Sequence, residues 1–463
     1  MRRTLNGIIR GVLCALGLSV LAAGIMFGGE AGGAPAGQGQ AAGGAAGSQP
    51  ETGQSVPSIT QPSSYVPVLG GGPNLLPFGT GLGSHLLYGG DLSGIYYSSH
   101  FGSLVSSNGT MTSGSGFLGY TGSTATNVYT LQYTVTGMPY SNPNFGTGGV
   151  MNRGLFRFDH HFSAKTSLTM SASGGYGSDA LLFYSPMQFQ AIGGVAGLDG
   201  AALGELGALN GKFGSATGNV SLEQRLTATK TLTFTGSYYY YEFLPGTTSS
   251  PSSSLFSGSS RGITGSAGYD QEVSERTTLR VRGMYSKYFA GSTLGSCGFY
   301  SLEGGVTYEL SARTTVSALA GPTMSSGHLC GSSVGLSASG RISTSIRQSL
   351  SAYVTAARAY YGGYIAGGGA VDTAAAGLNK GLGRQLIFSI DAGYYATSFV
   401  STSGSYRGFF GASSLSFLLT RSLSLVATYQ RYSGLANHLI PNQEFGAAML
   451  SLRWNHIPGG SVF

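Results

Sequence analysis

From Asn127 onward, apolar and polar residues alternate with period two. Leu279, Val281, Gly283 and Tyr285 interleave with Arg280, Arg282, Met284 and Ser286. Leu232, Phe234, Gly236 and Tyr238 interleave with Thr231, Thr233, Thr235 and Ser237, and Ala448, Leu450, Leu452 and Trp454 with Met449, Ser451, Arg453 and Asn455. Successive side chains of a strand point to opposite faces, so this pattern predicts strands with one apolar and one polar side. Short turns carrying one basic residue separate them: Ser163-Ala164-Lys165-Thr166, Ala228-Thr229-Lys230, Ser274-Glu275-Arg276-Thr277 and Ser311-Ala312-Arg313-Thr314. The series continues through Arg347, Arg384 and Arg421, and its last five basic residues stand 37, 34, 37 and 37 residues apart. That interval holds one hairpin, two strands of about 12 residues and a connection. The opposite connections are longer and rich in Gly, Ser and Tyr.

Sixteen strands are firm by this reading, starting near Val128, Leu155, Leu168, Ser215, Leu232, Gly262, Leu279, Phe299, Thr315, Ser333, Leu350, Thr373, Leu386, Gly408, Leu423 and Phe445. Two weaker ones precede them, near Tyr88–Ser98 and Gly114–Thr121. The expected fold is all-β, an antiparallel up-and-down barrel of 18 strands, with 16 the next choice. Sandwich strands average nearer 5–6 residues, and a solenoid would repeat every 20–30.

Composition fits. Gly contributes 79 of 463 residues and charged residues only 9%, against roughly 7% and 25% in soluble domains. Disordered chains and collagen are excluded by the aromatic content and the absence of a three-residue Gly period. The net charge of +7 does not indicate nucleic-acid binding: Arg2, Arg3 and Arg10 lie in the leader, and no Lys/Arg cluster forms a phosphate-binding stripe.

Those three arginines precede an apolar run from Val12 to Phe27, followed by Gly28, Gly29, Ala31 and Gly32. This predicts a cleaved secretory signal peptide over 1–31. Residues 32–85 form a Gly/Ala/Ser/Pro-rich segment too poor in apolar side chains to offset its ordering entropy. The barrel is expected over 86–455, with a short tail over 456–463. Beyond the leader two cysteines remain, Cys297 and Cys330, and an even pair in an exported chain suggests a disulfide.

The signal peptide, the hairpin repeat and the aromatic ending (Trp454 in the last strand, Phe463 at the C-terminus) resemble a Gram-negative outer-membrane β-barrel of the porin-like class, over roughly 86–455. The resemblance implies an outer-membrane location, lipid around the wall, insertion by barrel-assembly machinery and a homo-trimer as a candidate assembly. It also implies a channel for passive diffusion of small hydrophilic solutes. The alternative is a non-conducting structural or surface-exposed barrel with adhesive outer loops.

If Leu279 and its counterparts face lipid, the pore-lining set is Arg157, Asp159, Glu223, Arg225, Asp270, Glu272, Arg280, Arg282, Glu303, Glu309, Arg341, Asp391 and Arg453. A charge at the lipid midplane is costly, which supports that assignment. Both signs occur, so strong ion selectivity is not expected. The longest connection, from Ser178 to Lys212, holds Asp199 and Glu205 and is a candidate constriction loop. No enzymatic activity, cofactor or metal is expected. The seven His residues (85, 100, 160, 161, 328, 438 and 456) have no HExxH spacing, the cysteines no CxxC spacing, and Gly367-Gly368-Gly369 no following Lys.

Overall fold

The computed structural model describes residues 83–101, 105–137, 149–178, 212–244, 259–290, 295–328, 330–347, 349–361, 369–383, 385–399, 405–420, 422–435 and 443–456. They form 18 strands. The first six are β1 (Gly83–Phe101), β2 (Val105–Ser123), β3 (Asn127–Gly137), β4 (Val150–Ser163), β5 (Thr166–Ser178) and β6 (Lys212–Thr227). Then come β7 (Lys230–Leu244), β8 (Ser259–Ser274), β9 (Thr277–Ala290), β10 (Ser296–Ser311), β11 (Thr314–Ser326) and β12 (Ser333–Arg347). The last six are β13 (Leu350–Tyr361), β14 (Gly369–Leu382), β15 (Leu386–Phe399), β16 (Ser405–Leu418), β17 (Leu423–Leu435) and β18 (Gln443–His456).

Every strand pairs antiparallel with its chain neighbours, and β1 pairs with both β2 and β18. The sheet is therefore a closed 18-stranded barrel without an edge. Closure gives every strand a hydrogen-bonded neighbour on both sides, the condition for spanning hydrocarbon. The two strands that looked weak in sequence are the longest, at 19 residues each. Their Gly- and Ser-rich stretches carry little apolar alternation, yet they pair with each other along their whole length, and β1 closes the ring against β18 over Tyr88–Phe101.

The alternation resolves into two faces. In β3, Thr130, Gln132, Thr134 and Thr136 are buried, while Leu131, Tyr133 and Val135 are exposed. The same inversion continues around the wall: Leu302 in β10, Val354 in β13, Ile390 in β15 and Leu450 in β18 are all exposed. Apolar side chains thus point away from the axis and polar ones toward it, as expected where the outer surface meets lipid.

The two ends differ. At one, two-residue turns join β4–β5, β6–β7, β8–β9, β10–β11 and β12–β13. A hydroxyl organises several of these turns. Ser163 Oγ accepts the N–H of Lys165 at 3.1 Å, Ser274 Oγ that of Arg276 at 3.3 Å, and Ser311 Oγ that of Arg313 at 3.2 Å. Carbonyls of the turn then accept from the next hairpin: Lys165 O from Arg225 N–H, Arg276 O from Glu309 N–H and Arg313 O from Ser345 N–H. This is the physical content of the repeating Ser-x-Lys/Arg signature, a local side-chain cap that ties one hairpin to the next. The other end carries the longer connections. The stretch from 179 to 211, with Asp199 and Glu205, lies outside the described residues, as do the leader and the segment up to residue 82.

Candidate functional site: the inner wall of the barrel

Register places all thirteen charged residues of the expected lumen set on the axis-facing side. Arg157 in β4 sits opposite Thr130 and Ser171, Arg280 in β9 opposite Asp270 and Gly305, and Arg453 in β18 opposite Asp91 and Ser424. The alternation reading missed Asp91, which lies in the Gly-Gly-Asp-Leu-Ser-Gly stretch of β1, and Arg153 in β4. Asp91 lies within the weaker strand expected near Tyr88–Ser98, where glycines leave the apolar alternation too thin to assign a face.

Most of these charges meet an opposite charge within one strand spacing. Arg280 grips Asp270 with two hydrogen bonds, Nε at 2.7 Å and Nη2 at 2.8 Å. Arg282 Nη2 donates to Glu303 Oε2 at 2.5 Å, and both side chains are largely buried. Arg157 holds Asp159 through Nε at 2.8 Å and Nη2 at 3.2 Å, and Thr169 Oγ1 donates to the same carboxylate at 2.8 Å. Glu223 and Arg225 stand 3.7 Å apart and remain well exposed. In such a geometry a pair is worth about 0–1 kcal/mol, whereas stripping one partner from a buried pair costs about 3–5 kcal/mol. Asp270, Arg280, Arg282 and Glu303 therefore act as fixed dipoles rather than free ions, while Glu272 and Glu309 are exposed.

Two clusters span the wall. At the closing seam, Ser93 Oγ donates to Asp91 Oδ2 at 2.9 Å, Ser115 Oγ donates to Asp91 Oδ1, and Ser93 and Ser451 hydroxyls lie 2.8 Å apart. Arg453 is the register partner of Asp91. Further round the wall, Tyr353 of β13 reaches over β14 to donate to Asp391 of β15 at 2.6 Å, and the Arg341 guanidinium lies 5.2 Å from the Tyr353 ring centre. Between them is Gly377, register partner of both. A Cβ there would run into the Tyr353 ring and the Asp391 carboxylate, so the bond requires a glycine.

Five buried polar atoms have no hydrogen-bond partner among the described residues: Arg282 Nε, Ser301 Oγ, Thr323 Oγ1, Gln430 Oε1 and Arg453 Nε. All five belong to inward-facing positions. Ser301 and Thr323 are direct register partners beside the Arg282–Glu303 pair.

At the long-connection end, Cys297 of β10 and Cys330, in the link from β11 to β12, are joined by a disulfide with Cα atoms 5.5 Å apart. Gly331 follows at a φ of 62°, a left-handed conformation that glycine adopts without a Cβ penalty. Phe299 is fully buried against the bridge, with Tyr288 and Tyr360 packed beside it. The disulfide therefore closes an aromatic cluster at the rim.

His160 is on the outward face, between Phe158 and Phe162, while its neighbour His161 is exposed on the other. Among the described residues, no three His, Cys, Asp or Glu side chains converge as metal ligands.

A closed barrel with an apolar outer belt and a polar inner wall is the architecture of Gram-negative outer-membrane proteins. No protein-family model matches the chain, and no curated protein matches it. Solved structures similar in outline include a mutant of the ferric enterobactin receptor PfeA from Pseudomonas aeruginosa, at 12% identity over 81% of each chain with a TM-score of 0.42. The siderophore receptor PirA from the same organism is similar at 9% over 80% of each chain, TM-score 0.43. An apoprotein form of the FrpB iron transporter from Neisseria meningitidis is similar at 10% over 80% of this chain and 68% of that one, TM-score 0.46.

Proposed function

We propose that the protein is an outer-membrane channel that lets small hydrophilic solutes diffuse through a water-filled lumen of mixed charge. The observation that carries this reading is the inner wall. It gathers Arg157, Asp159, Asp270, Arg280, Arg282, Glu303, Arg341 and Asp391 on one face of a closed 18-stranded sheet. A barrel of this strand number is wider than ordinary side chains fill. The inward orphan atoms at Ser301, Thr323, Arg282, Gln430 and Arg453 are groups that lumen water can satisfy. Paired charges of both signs favour hydrated solutes of either charge over one ion class. The role needs no catalytic group and no cofactor.

A second reading is a barrel that does not conduct. The near-complete burial of Thr130, Gln132, Thr134 and Thr136 on the inner face, at 4–6% exposure, favours it, because a wide empty lumen would leave such groups wet. Planar-bilayer recordings of the whole mature chain separate the two. Stepwise conductance of roughly nanosiemens order, expected of a wide aqueous pore, supports the channel. A barrel that inserts without conducting overturns it.

A further inference from the structure

We infer that the lipid-facing rim at the long-connection end carries a site for a phosphate monoester headgroup, formed by Arg261, Lys287 and Phe289. Arg261 of β8 and Phe289 of β9 are direct register partners, and Lys287 pairs with Ile263. These residues share the outward face with Ile263 and Tyr285, both exposed. The guanidinium of Arg261 lies 4.9 Å from the centre of the Phe289 ring and the ammonium of Lys287 lies 5.2 Å from it. Two cations therefore converge on one ring, on the side of the wall that meets lipid.

Neither cation has an acidic partner among the described residues. Glu242 shares this face two residues along β7 from Tyr240, the register partner of Arg261, and accepts a hydrogen bond from the Tyr240 hydroxyl at 3.1 Å without forming an ion pair with Arg261. Two other outward bases at this end have acidic partners, Arg358 with Asp372 at 3.7 Å and Arg431 with Glu444 at 3.4 Å, while Arg407 stands singly among the described residues. Like charges side by side on a lipid-facing surface repel and are costly to desolvate. Their placement within about a turn's reach of the strand ends puts them at headgroup depth, where an anion can supply the missing counter-charge. The Phe289 ring attracts both cations through its face.

With Glu242 engaged by Tyr240, Arg261 and Lys287 are the two cations left to meet an anion, and a phosphate monoester, carrying about −1.5 to −2, can engage both. A phosphodiester headgroup carries one charge and leaves one cation unmatched. Arg261 supplies a planar fork for two phosphate oxygens and Lys287 a point charge for the third. The site lies on the outer surface and is independent of what passes through the lumen.

The test uses the full mature chain in nanodiscs of phosphatidylcholine doped with phosphatidic acid, with phosphatidylglycerol, or with neither, and counts co-purifying lipid by native mass spectrometry. Retention of phosphatidic acid about tenfold above phosphatidylglycerol, lost in R261Q/K287Q and kept in R407Q, supports the assignment. R407Q removes a single outward base at the same rim. Equal retention of the two lipids, an unchanged R261Q/K287Q variant, or the same loss in R407Q overturns it. Complete displacement by millimolar inorganic phosphate assigns the pair to soluble phosphate and also overturns the lipid site. Heat-modifiable gel mobility checks that each variant is folded. Conductance unchanged in R261Q/K287Q keeps this result separate from the channel reading.

Discussion

The Tyr353 hydroxyl donates to Asp391 across the bare backbone of Gly377, at 2.6 Å, with one whole strand between donor and acceptor. The three residues lie on β13, β14 and β15, so the bond staples three strands from the inner side. Substituting Gly377→Ala places a methyl group where the phenol and carboxylate meet. The expected result is loss of the bond at about 1.5–3 kcal/mol, the worth of a hydrogen bond to a charged group. Denaturant unfolding in lipid vesicles measures it. Y353F should lose a similar amount, and the double variant should lose little more than either alone.

Arg282 and Glu303 test the cost of a buried charge. E303Q leaves the guanidinium without its counter-ion and should destabilise the barrel by about 3–5 kcal/mol. R282M/E303M removes both charges together and should cost much less. A double variant as unstable as E303Q would mean that packing, not charge, dominates at this point of the wall.

Asp270 and Arg280 test the lumen's electrostatics. D270N frees the Arg280 guanidinium and should move the zero-current potential in a KCl gradient toward anion preference. R280Q should move it the other way. Conductance that persists with no shift in either variant would place this pair away from the ion path.

The disulfide at the rim holds Phe299, Tyr288 and Tyr360 together and closes a separation of 33 residues. C297S/C330S should lower stability by about 3 kcal/mol, with reductant reproducing the effect in the unaltered chain. Two alkylatable thiols in the unreduced protein would remove the bridge from the account.

Leu302, 59% exposed on the outer face of β10, tests the placement in lipid. L302R should cost about 2–4 kcal/mol in bilayers if that face meets hydrocarbon near the midplane. A surface facing water would tolerate it with almost no change.

Much of this architecture was readable along the chain, for a specific reason. Strand periodicity is two, so Leu279 and Arg280 declare their faces without any knowledge of what pairs with what. The turns carried their own chemistry too, since Ser163, Ser274 and Ser311 cap the N–H two residues on. The expected pore-lining set rests on parity alone, and the strand register puts its members on one face of the sheet. Asp91 escaped because Gly89, Gly90 and Gly94 around it dilute the alternation, even though backbone pairing there is complete.

The amino-acid order by itself determined the strands, their two faces and the alternation of short and long connections, because each depends on neighbours a few residues away. Only the tertiary structure decided which side chains meet. Arg282 finds Glu303, Tyr353 finds Asp391 over Gly377, and Arg261 and Lys287 meet on Phe289 through strand register, a property of pairs of segments. Asp91 faces Arg453 only because β1 pairs with β18. That contact exists because an unclosed sheet would leave backbone groups unpaired in lipid, and closing it brings the two ends of the barrel sequence side by side.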